Sequence, residues 1–168
     1  PLTELIIHPR VLKDFYKYNV RMNAFKEGFE KSRHSVCYNG DIFRRKDYDR
    51  LVKEYPDLDK IMMGRGIMMN PFLMEEIADG TSQKVSGKMS AARKADRLEK
   101  FHRLLCDGYT HVMSGDRPVL FKMKELWGFL IHSCPEEEKL MKKIRKAQHL
   151  AEYEGVVSEL FCRMREHE

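Results

Sequence analysis

What the sequence lacks already narrows the kind of protein it encodes. No apolar run reaches the roughly 18 residues that a transmembrane helix needs, so no membrane span is predicted. The apolar stretch from Leu2 to Ile7 is short and contains Glu4, which is not the pattern of a signal peptide. A chain that begins with Pro1 instead of methionine is expected to be part of a longer one.

The sequence also lacks the residue spacing of a metal site. Its four cysteines, Cys37, Cys106, Cys134 and Cys162, form no CxxC pair. Its seven histidines form no HxxxH pair on a helix face, so no metal site is predicted. The sequence instead predicts buried free thiols in a reducing cytosol, and therefore a cytoplasmic protein.

Positive charge is distributed unevenly along a chain whose formal net charge is +5. The excess of Lys and Arg lies in residues 81–146, whereas residues 1–80 are nearly balanced. A concentrated basic region is what a nucleic acid or another acidic partner requires. A solvated helical surface explains the same excess, and charge alone favours that second interpretation.

Two short apolar runs between Val36 and Pro71 are each closed by a turn that contains glycine. The first run, 36–38, is followed by Asn39-Gly40-Asp41, and the second, 60–63, by Gly64-Arg65-Gly66. The stretch between them has apolar residues at helical spacing and ends at a proline. This order predicts a βαβ unit, whose two strands are parallel.

Both glycine turns therefore lie at the carboxyl ends of neighbouring parallel strands, where α/β proteins bind ligands. Glycines let the backbone approach a phosphate closely, and Arg65 adds a charged fork that suits phosphate. Ordinary turns between strands and helices are the alternative, because Gly and Asn favour turns anyway. Two such turns in succession, one with an arginine, favour the phosphate site.

The flanking segments extend the same architecture. Residues 2–7 are predicted to be a strand that ends at His8, either a structural residue or part of the same ligand-binding edge. A helix is predicted from Asp14 to Phe29, although residues 16–19 fit a loop as well. Another begins near Asn70, ends near residue 78 and leaves Gly80 just past its end. We predict domains at 1–80 and 88–168, joined by a polar linker at 81–87.

The chain beyond the linker has helical periodicity throughout. Ser90 is predicted to cap a first helix, Gly115 to end it, and Asp116 to cap a second. Two further helices follow Pro135. Four amphipathic helices with short connections predict an antiparallel bundle, whose aromatic and methionine stripes form its core. The apolar positions assigned to the first two helices are Leu98, Phe101, Leu105, Tyr109, Val112, Met113, Leu120, Met123, Trp127, Leu130 and Ile131.

Four motifs in fixed order resemble those of the bacterial tRNA-dihydrouridine synthases, over nearly the whole chain. They are HPR at 8–10, YNGDI at 38–42, MMGRGIMMNPFL at 62–73 and KMKELW at 122–127. The resemblance implies a (β/α)₈ barrel followed by a small helical domain. The expected fold is therefore a partial α/β barrel of about three βα units followed by an all-α bundle, mostly helical overall.

The resemblance also implies a chemistry: reduction of particular uridines in tRNA to 5,6-dihydrouridine, with FMN as cofactor and NADPH as reductant. It assigns the cofactor to the two glycine turns and to the histidine of the HPR motif. The expected FMN-binding residues are His8, Asn39, Gly40, Asp41, Gly64 and Arg65. The expected RNA contacts are Arg10, Lys122, Lys124 and the basic cluster of Lys139, Lys142, Lys143, Arg145 and Lys146.

The sequence departs from the family at its catalytic groups. The family's cysteine acid lies in an N-x-G-C-P motif, which is absent here, as are its strand lysine and N-terminal flavin-ring segment. The chain thus resembles a C-terminal half, expected to be inactive alone and to hold FMN weakly or not at all. Either it is a portion of such an enzyme, or a non-catalytic remnant that binds RNA or protein. Three strands cannot close a barrel, so we expect self-association, or helices, to cover the strand edges.

Overall fold

The structure, a computed structural model, describes residues 2–14, 16–81 and 89–166, and the chain divides into two compact units, 1–83 and 84–168. The linker predicted at 81–87 lies outside the described residues except for residue 81, which ends a helix. Phe15, placed by the sequence in the helix of 14–29, is also outside them. Each unit has its own secondary structure and core.

The first unit is built on a three-stranded parallel sheet. Strand β1 is Glu4–Ile7, β2 is Ser35–Asn39 and β3 is Lys60–Met62, in the spatial order β1-β2-β3. Ile7 pairs with Tyr38, and Tyr38 with Ile61, so both pairs are in parallel register. The parallel arrangement predicted from the βαβ pattern is confirmed, and all three strands point their carboxyl ends to one edge.

Four α-helices accompany the sheet in the described part of this unit: α1 Met22–Lys31, α2 Arg45–Glu54, α3 Arg65–Met69 and α4 Leu73–Thr81; a 3-10 turn lies at Leu12–Asp14. The helix predicted from residue 14 begins eight residues later, because the intervening chain folds as a loop around the Asp14 carboxylate. Helix α4 continues through Gly80 instead of ending before it. Helix α3, which no pattern predicted, begins at Arg65, within the second glycine turn.

One face of the sheet is covered and the other is open. Phe25 of α1 packs edge-on against Tyr38 and Tyr55, with ring centroids 4.8 and 5.1 Å away. On the opposite face the side chains of Ile6 and Met62 remain 46% and 41% exposed. The core on the covered face comprises Phe25, Val36, Tyr38, Ile42, Leu51, Tyr55, Leu58, Leu73 and Ile77.

The second unit is helical throughout its described residues. Its helices are α5 Ala91–Val112, α6 Asp116–Leu130, α7 Glu138–Lys146 and α8 Leu150–Glu166, with two 3-10 turns between α6 and α7. Ser90 caps α5 as predicted, since its side chain accepts from the backbone N–H of Arg93 at 3.3 Å. Gly115, with a φ of 87°, is the residue that precedes α6, so Asp116 is its first residue and not its cap.

The core of this unit differs from the predicted stripe at two positions. Phe101 is 40% exposed and Val112 is 77% exposed, although both were assigned to the core. The buried face of α5 instead follows Ala95, Leu98, His102 and Cys106. The helix is rotated because His102 and Cys106, which a hydropathy pattern scores as polar or neutral, point inward. The remaining core includes Met123, Trp127, Leu130, Leu140, Ile144, Tyr153, Leu160 and Phe161.

Candidate functional site

The carboxyl ends of the three strands bring the predicted ligand-binding residues to one edge of the sheet. His8 follows β1, Asn39 ends β2 and Gly64 follows β3. A cavity of about 210 Å³ opens there. All six residues assigned to FMN line it, together with Gly66 of the second glycine turn and three residues not assigned to the site: Tyr16, Phe43 and Met62.

A carboxylate held between two guanidinium groups is the most highly charged feature of the cavity. Asp41 accepts from Arg10 through one oxygen and from Arg65 Nη2 through the other, the latter at 2.5 Å. Two positive groups around one negative group leave a net charge of +1. A cluster of this sign and geometry attracts an anion of the size of a phosphate.

Arg10 is placed differently from its predicted role as an RNA contact. Its side chain is only 4% exposed and donates to Asp41 and to the backbone oxygen of Tyr18. Its Nε is buried and has no hydrogen-bond partner among the described residues. A buried guanidinium does not fit contact with an external RNA backbone. It fits a residue that holds Asp41 and the neighbouring loop in place.

His8 is oriented by the strand beside it. Its Nδ1 lies 2.5 Å from the backbone oxygen of Asn39. A carbonyl oxygen can only accept, so Nδ1 carries the proton and donates, which fixes the tautomer of a neutral ring. The other ring nitrogen, Nε2, has no hydrogen-bond partner within the described residues, and the residue as a whole is exposed at the edge of the sheet.

The two glycines of the second turn have different surroundings. A side-chain carbon at Gly66 would lie 1.9 Å from the backbone oxygen of Ile42, so only glycine allows α3 to approach the turn after β2 this closely. A side-chain carbon at Gly64 would meet nothing within 4 Å. Gly64 therefore leaves open space in the wall of the cavity, which a ligand can occupy.

Residues 9–14 and 16–21 belong to a loop that contributes Tyr16 to the cavity wall, a residue that was not predicted as part of the site. Buried Asp14 accepts from Arg21 Nη2 and from the backbone N–H of Val11, both at 3.1 Å. The hydrogen bond from Arg21 is the main reason that the pKa of the Asp14 carboxyl lies below its usual value. Tyr16, at the tip of this loop, lays its ring over Arg65, with the guanidinium carbon 4.1 Å from the ring centroid.

The lysines predicted on α6 have separate partners within the helical unit. Lys124 donates from Nζ to the backbone oxygen of Ala147, the residue that follows α7. This hydrogen bond joins α6 to the end of α7, so Lys124 stabilises the fold, and its contact with RNA stays a prediction. Lys122 is exposed and pairs with Glu125 at 2.8 Å.

Helix α7 separates its apolar and basic residues onto opposite faces. Leu140, Met141 and Ile144 are buried. Lys142 pairs with Glu138 at 3.8 Å and Lys143 with Glu159 at 3.2 Å, whereas the other basic side chains of this face make no ion pair within the described residues. The basic face of α7 consists of Lys139, Lys142, Lys143, Arg145 and Lys146, all of them exposed.

The cysteines and acidic groups show no second site. Cys37, Cys106 and Cys134 are buried free thiols as expected, but Cys162 is exposed. Burial raises the pKa of the Cys37 thiol, which keeps it protonated. Within residues 2–14, 16–81 and 89–166, no three His, Cys, Asp or Glu side chains are grouped to hold a metal ion. None of the described helices is both long and apolar enough to span a membrane.

Comparison with known proteins identifies the family. The model of the family described as dihydrouridine synthase (Dus) matches residues 2–163, so the chain belongs to that family, as its four motifs predicted. A tRNA-dihydrouridine(16) synthase of Ralstonia nicotianae is 24% identical over 164 residues. That match covers 95% of this chain and 47% of the relative. The chain therefore spans about half the length of the curated relative that it matches.

Proposed function

We propose that this chain is the C-terminal portion of an FMN-dependent enzyme that reduces uridine to 5,6-dihydrouridine in tRNA with NADPH. The observation that carries the proposal is the cavity at the carboxyl edge of the sheet, which gathers all six residues expected around FMN. Family membership and the similarity to a tRNA-dihydrouridine synthase support the same conclusion. On this proposal, the three parallel strands are the last three of a (β/α)₈ barrel.

The residues of the cavity fit the phosphate end of FMN. Arg65 lines the cavity, and Arg10 shares the Asp41 carboxylate with it, so the two guanidinium groups exceed Asp41 by one positive charge. Gly64 leaves the open space that a phosphate would need. The chemistry that bound FMN supplies in such an enzyme is hydride transfer. The chain itself would bind and orient the cofactor through Asn39, Arg65 and the ring of His8.

The isolated chain is proposed to be inactive. Protonation of the reduced uridine needs a positioned acid, worth about 10²–10⁴-fold in rate. None of the four cysteines lines the cavity among its described wall residues, and Cys37 is buried in β2. The N-x-G-C-P motif that carries the acid in the family is absent from the sequence. FMN held only at its phosphate end would also be bound weakly.

Incubation of the purified chain with unmodified tRNA, FMN and NADPH tests this part of the proposal. We expect no dihydrouridine above a control without protein, and no full complement of yellow FMN after purification. Dihydrouridine above the control, or flavin at full occupancy, would show that the chain contains a complete site.

The helical unit is proposed to contact tRNA through the basic face of α7. Its side chains are exposed, and three of its five make no ion pair within the described part of the unit, which leaves them available to phosphates. Contacts with phosphates position an RNA without reading its base sequence. The second candidate, a non-catalytic RNA- or protein-binding remnant, is favoured by the absent cysteine acid.

The gene sequence upstream of Pro1 separates the two candidates. An N-x-G-C-P block in frame with this chain supports the enzyme, and a start codon next to residue 1 supports the remnant. Expression of the chain with that upstream segment, followed by measurement of dihydrouridine in unmodified tRNA, is the corresponding functional test.

A further inference from the structure

The loop of residues 8–21 is closed at its base and carries Tyr16 at its tip. The backbone N–H of Arg21 donates to the backbone oxygen of Pro9 at 2.8 Å. The side chain of Arg21 donates to the Asp14 carboxylate within the loop. On the other side, Arg10 donates to the backbone oxygen of Tyr18. These bonds fix both arms of the loop, so the position of Tyr16 is determined by the folded chain.

Tyr16 has a backbone conformation that an aromatic residue rarely adopts. Its φ is 62°, and it is the one non-glycine residue with a positive φ in the described part of the chain. The left-handed region crowds the side chain against the backbone and costs free energy unless other contacts offset it. A strained residue at the wall of a binding cavity indicates that the direction of its side chain matters.

The strained backbone directs the Tyr16 ring onto the charged cluster. The guanidinium carbons of Arg65 and Arg10 lie 4.1 and 5.5 Å from the ring centroid, and the His8 ring lies at 5.9 Å. The Tyr16 hydroxyl makes no hydrogen bond within the described residues, and the side chain is 58% exposed. The ring face, and not the hydroxyl, is therefore the part of Tyr16 that makes contact.

Stacking on an aromatic face leaves the edge of a guanidinium free to donate. Arg65 gives one edge nitrogen to Asp41, so its plane is fixed by a carboxylate at the edge and by an aromatic ring at the face. A side chain held in this way does not lose rotamer freedom when an anion binds. Phe43 lies farther away on the same guanidinium, with its ring centroid 5.4 Å from the Arg65 guanidinium carbon, so removal of the Tyr16 ring would leave Arg65 held by Asp41 and by this longer contact.

We propose that Tyr16 is a positioning residue, which holds the Arg65 guanidinium by stacking so that its free edge meets the phosphate of the cofactor. This role rests on the proposed function, in which the cavity binds the phosphate end of FMN. It predicts that Tyr16 contributes to the binding of the phosphate and not to the binding of the flavin ring. It also predicts that any aromatic side chain at this position is sufficient.

The test compares FMN with riboflavin, which has the same ring system and no phosphate. Each flavin is titrated with the 168-residue chain and followed by fluorescence anisotropy. In Tyr16→Ala we expect FMN to bind about fivefold more weakly, as removal of a cation–π interaction implies, with riboflavin affinity unchanged. Tyr16→Phe is expected to bind FMN like the unmodified chain. In an Arg65→Ala background, Tyr16→Ala should have no further effect on FMN.

Three results would overturn the proposal. Equal losses for FMN and riboflavin in Tyr16→Ala would show that the residue contacts the flavin ring or maintains the loop as a whole. Unchanged FMN affinity in Tyr16→Ala would show that stacking on Arg65 does not contribute to FMN binding. The same loss of FMN affinity in Tyr16→Phe as in Tyr16→Ala would lead to the same conclusion. If the unmodified chain binds FMN no better than riboflavin, the phosphate site itself is wrong, and the role of Tyr16 fails with it.

Discussion

At the scale of single residues, Asp41 determines the charge of the cavity because it is shared by two arginines that are distant in the sequence. Arg10 lies 31 positions before it and Arg65 lies 24 positions after it. The carboxylate keeps two positive groups together that would otherwise repel each other. The net charge that remains is the physical basis for attracting a phosphate.

Gly66 and Gly64 form a matched pair for testing the backbone of this site. We expect Gly66→Ala to destabilise the first unit by about 1–3 kcal/mol, because its new carbon would collide with the backbone oxygen of Ile42. Gly64→Ala should change stability by less than about 0.5 kcal/mol, since its new carbon meets open space. Hydrogen exchange of peptides from β2 and α3 measures the change in stability in each variant. Equal protection in the two variants would contradict the close approach.

The buried His102 predicts a pH dependence for the helical unit. Its Nε2 lies 2.5 Å from the Tyr153 hydroxyl, whose oxygen accepts from Trp127 Nε1 at 2.8 Å. Burial is the main cause that lowers the pKa of His102 to about 4, and Glu99 and Arg103 act on it in opposite directions. The unfolded chain, with a histidine pKa near 6.5, binds the proton first as the pH falls. The stability contributed by neutral His102 is therefore complete above about pH 6.5 and is lost toward pH 4.

We expect the free energy of unfolding of the helical unit to fall by about 2 kcal/mol between pH 7 and pH 5. Trp127 is the only tryptophan in the chain, so its fluorescence during urea unfolding reports on this unit alone. His102→Gln should remove most of the pH dependence, whereas His132→Gln, at an exposed position, should keep it. If the free energy of unfolding depends on pH equally in both variants, groups other than His102 are responsible for that dependence.

The sequence predicted the backbone turns of the site better than its side-chain contacts. Glycine, asparagine and strand order are local signals, and the six predicted positions line one cavity. Tyr16 and Phe43 were missed because a single aromatic residue in a loop has no periodic pattern. The burial of Arg10 against Asp41 was not predicted, because no local pattern connects residues 31 positions apart.

At the scale of elements, hydropathy patterns located strands and helices but not their exact ends or rotation. The three strands and their parallel order follow from short apolar runs closed by turns. The start of α1 was wrong because the aromatic residues before Met22 imitate helical spacing, while the Asp14–Arg21 ion pair favours a loop. The predicted rotation of α5 was wrong because hydropathy treats histidine as polar, whereas His102 is buried.

The basic face of α7 predicts a salt-dependent affinity for tRNA. We expect Lys142→Glu combined with Lys143→Glu to weaken tRNA binding and to lower the salt slope by about 1 for each phosphate that the unit no longer neutralises. Lys26→Glu combined with Lys31→Glu, on the exposed side of α1, changes the net charge equally and should have a smaller effect. Filter binding over a range of salt concentrations measures both. Unchanged affinity at low salt in the α7 variant would mean that this face only keeps the unit soluble.

At the scale of the whole molecule, the open face and outer strands of the sheet are the features that a complete barrel would not have. Strands β1 and β3 are the outer strands of the sheet in the described structure. Each carries an exposed apolar residue on the open face, Ile6 in β1 and Met62 in β3. Exposed apolar strand edges pair with other chains unless something covers them. A chain that spans about half of its relative would expose these surfaces for that reason.

We therefore predict that the isolated chain forms a dimer or a larger assembly. Sedimentation velocity over a range of concentrations should show association, and Ile6→Lys should reduce it by placing a charge on the open face. Leu12→Lys, at an exposed leucine outside the sheet, is the matched control and should leave association unchanged. A compact monomer at all concentrations would contradict the prediction.

The most direct test of the account is whether the cavity binds the phosphate of FMN. In a ³¹P NMR titration, we predict that the FMN phosphate resonance shifts with added chain, that inorganic phosphate reverses the shift, and that Arg65→Ala weakens binding by about 1.5–3 kcal/mol. Arg50→Ala removes an equal charge from an exposed position of α2 and should bind as the unmodified chain does. No shift with the unmodified chain, or the same shift in Arg65→Ala, would contradict the assignment of this cavity to the cofactor phosphate.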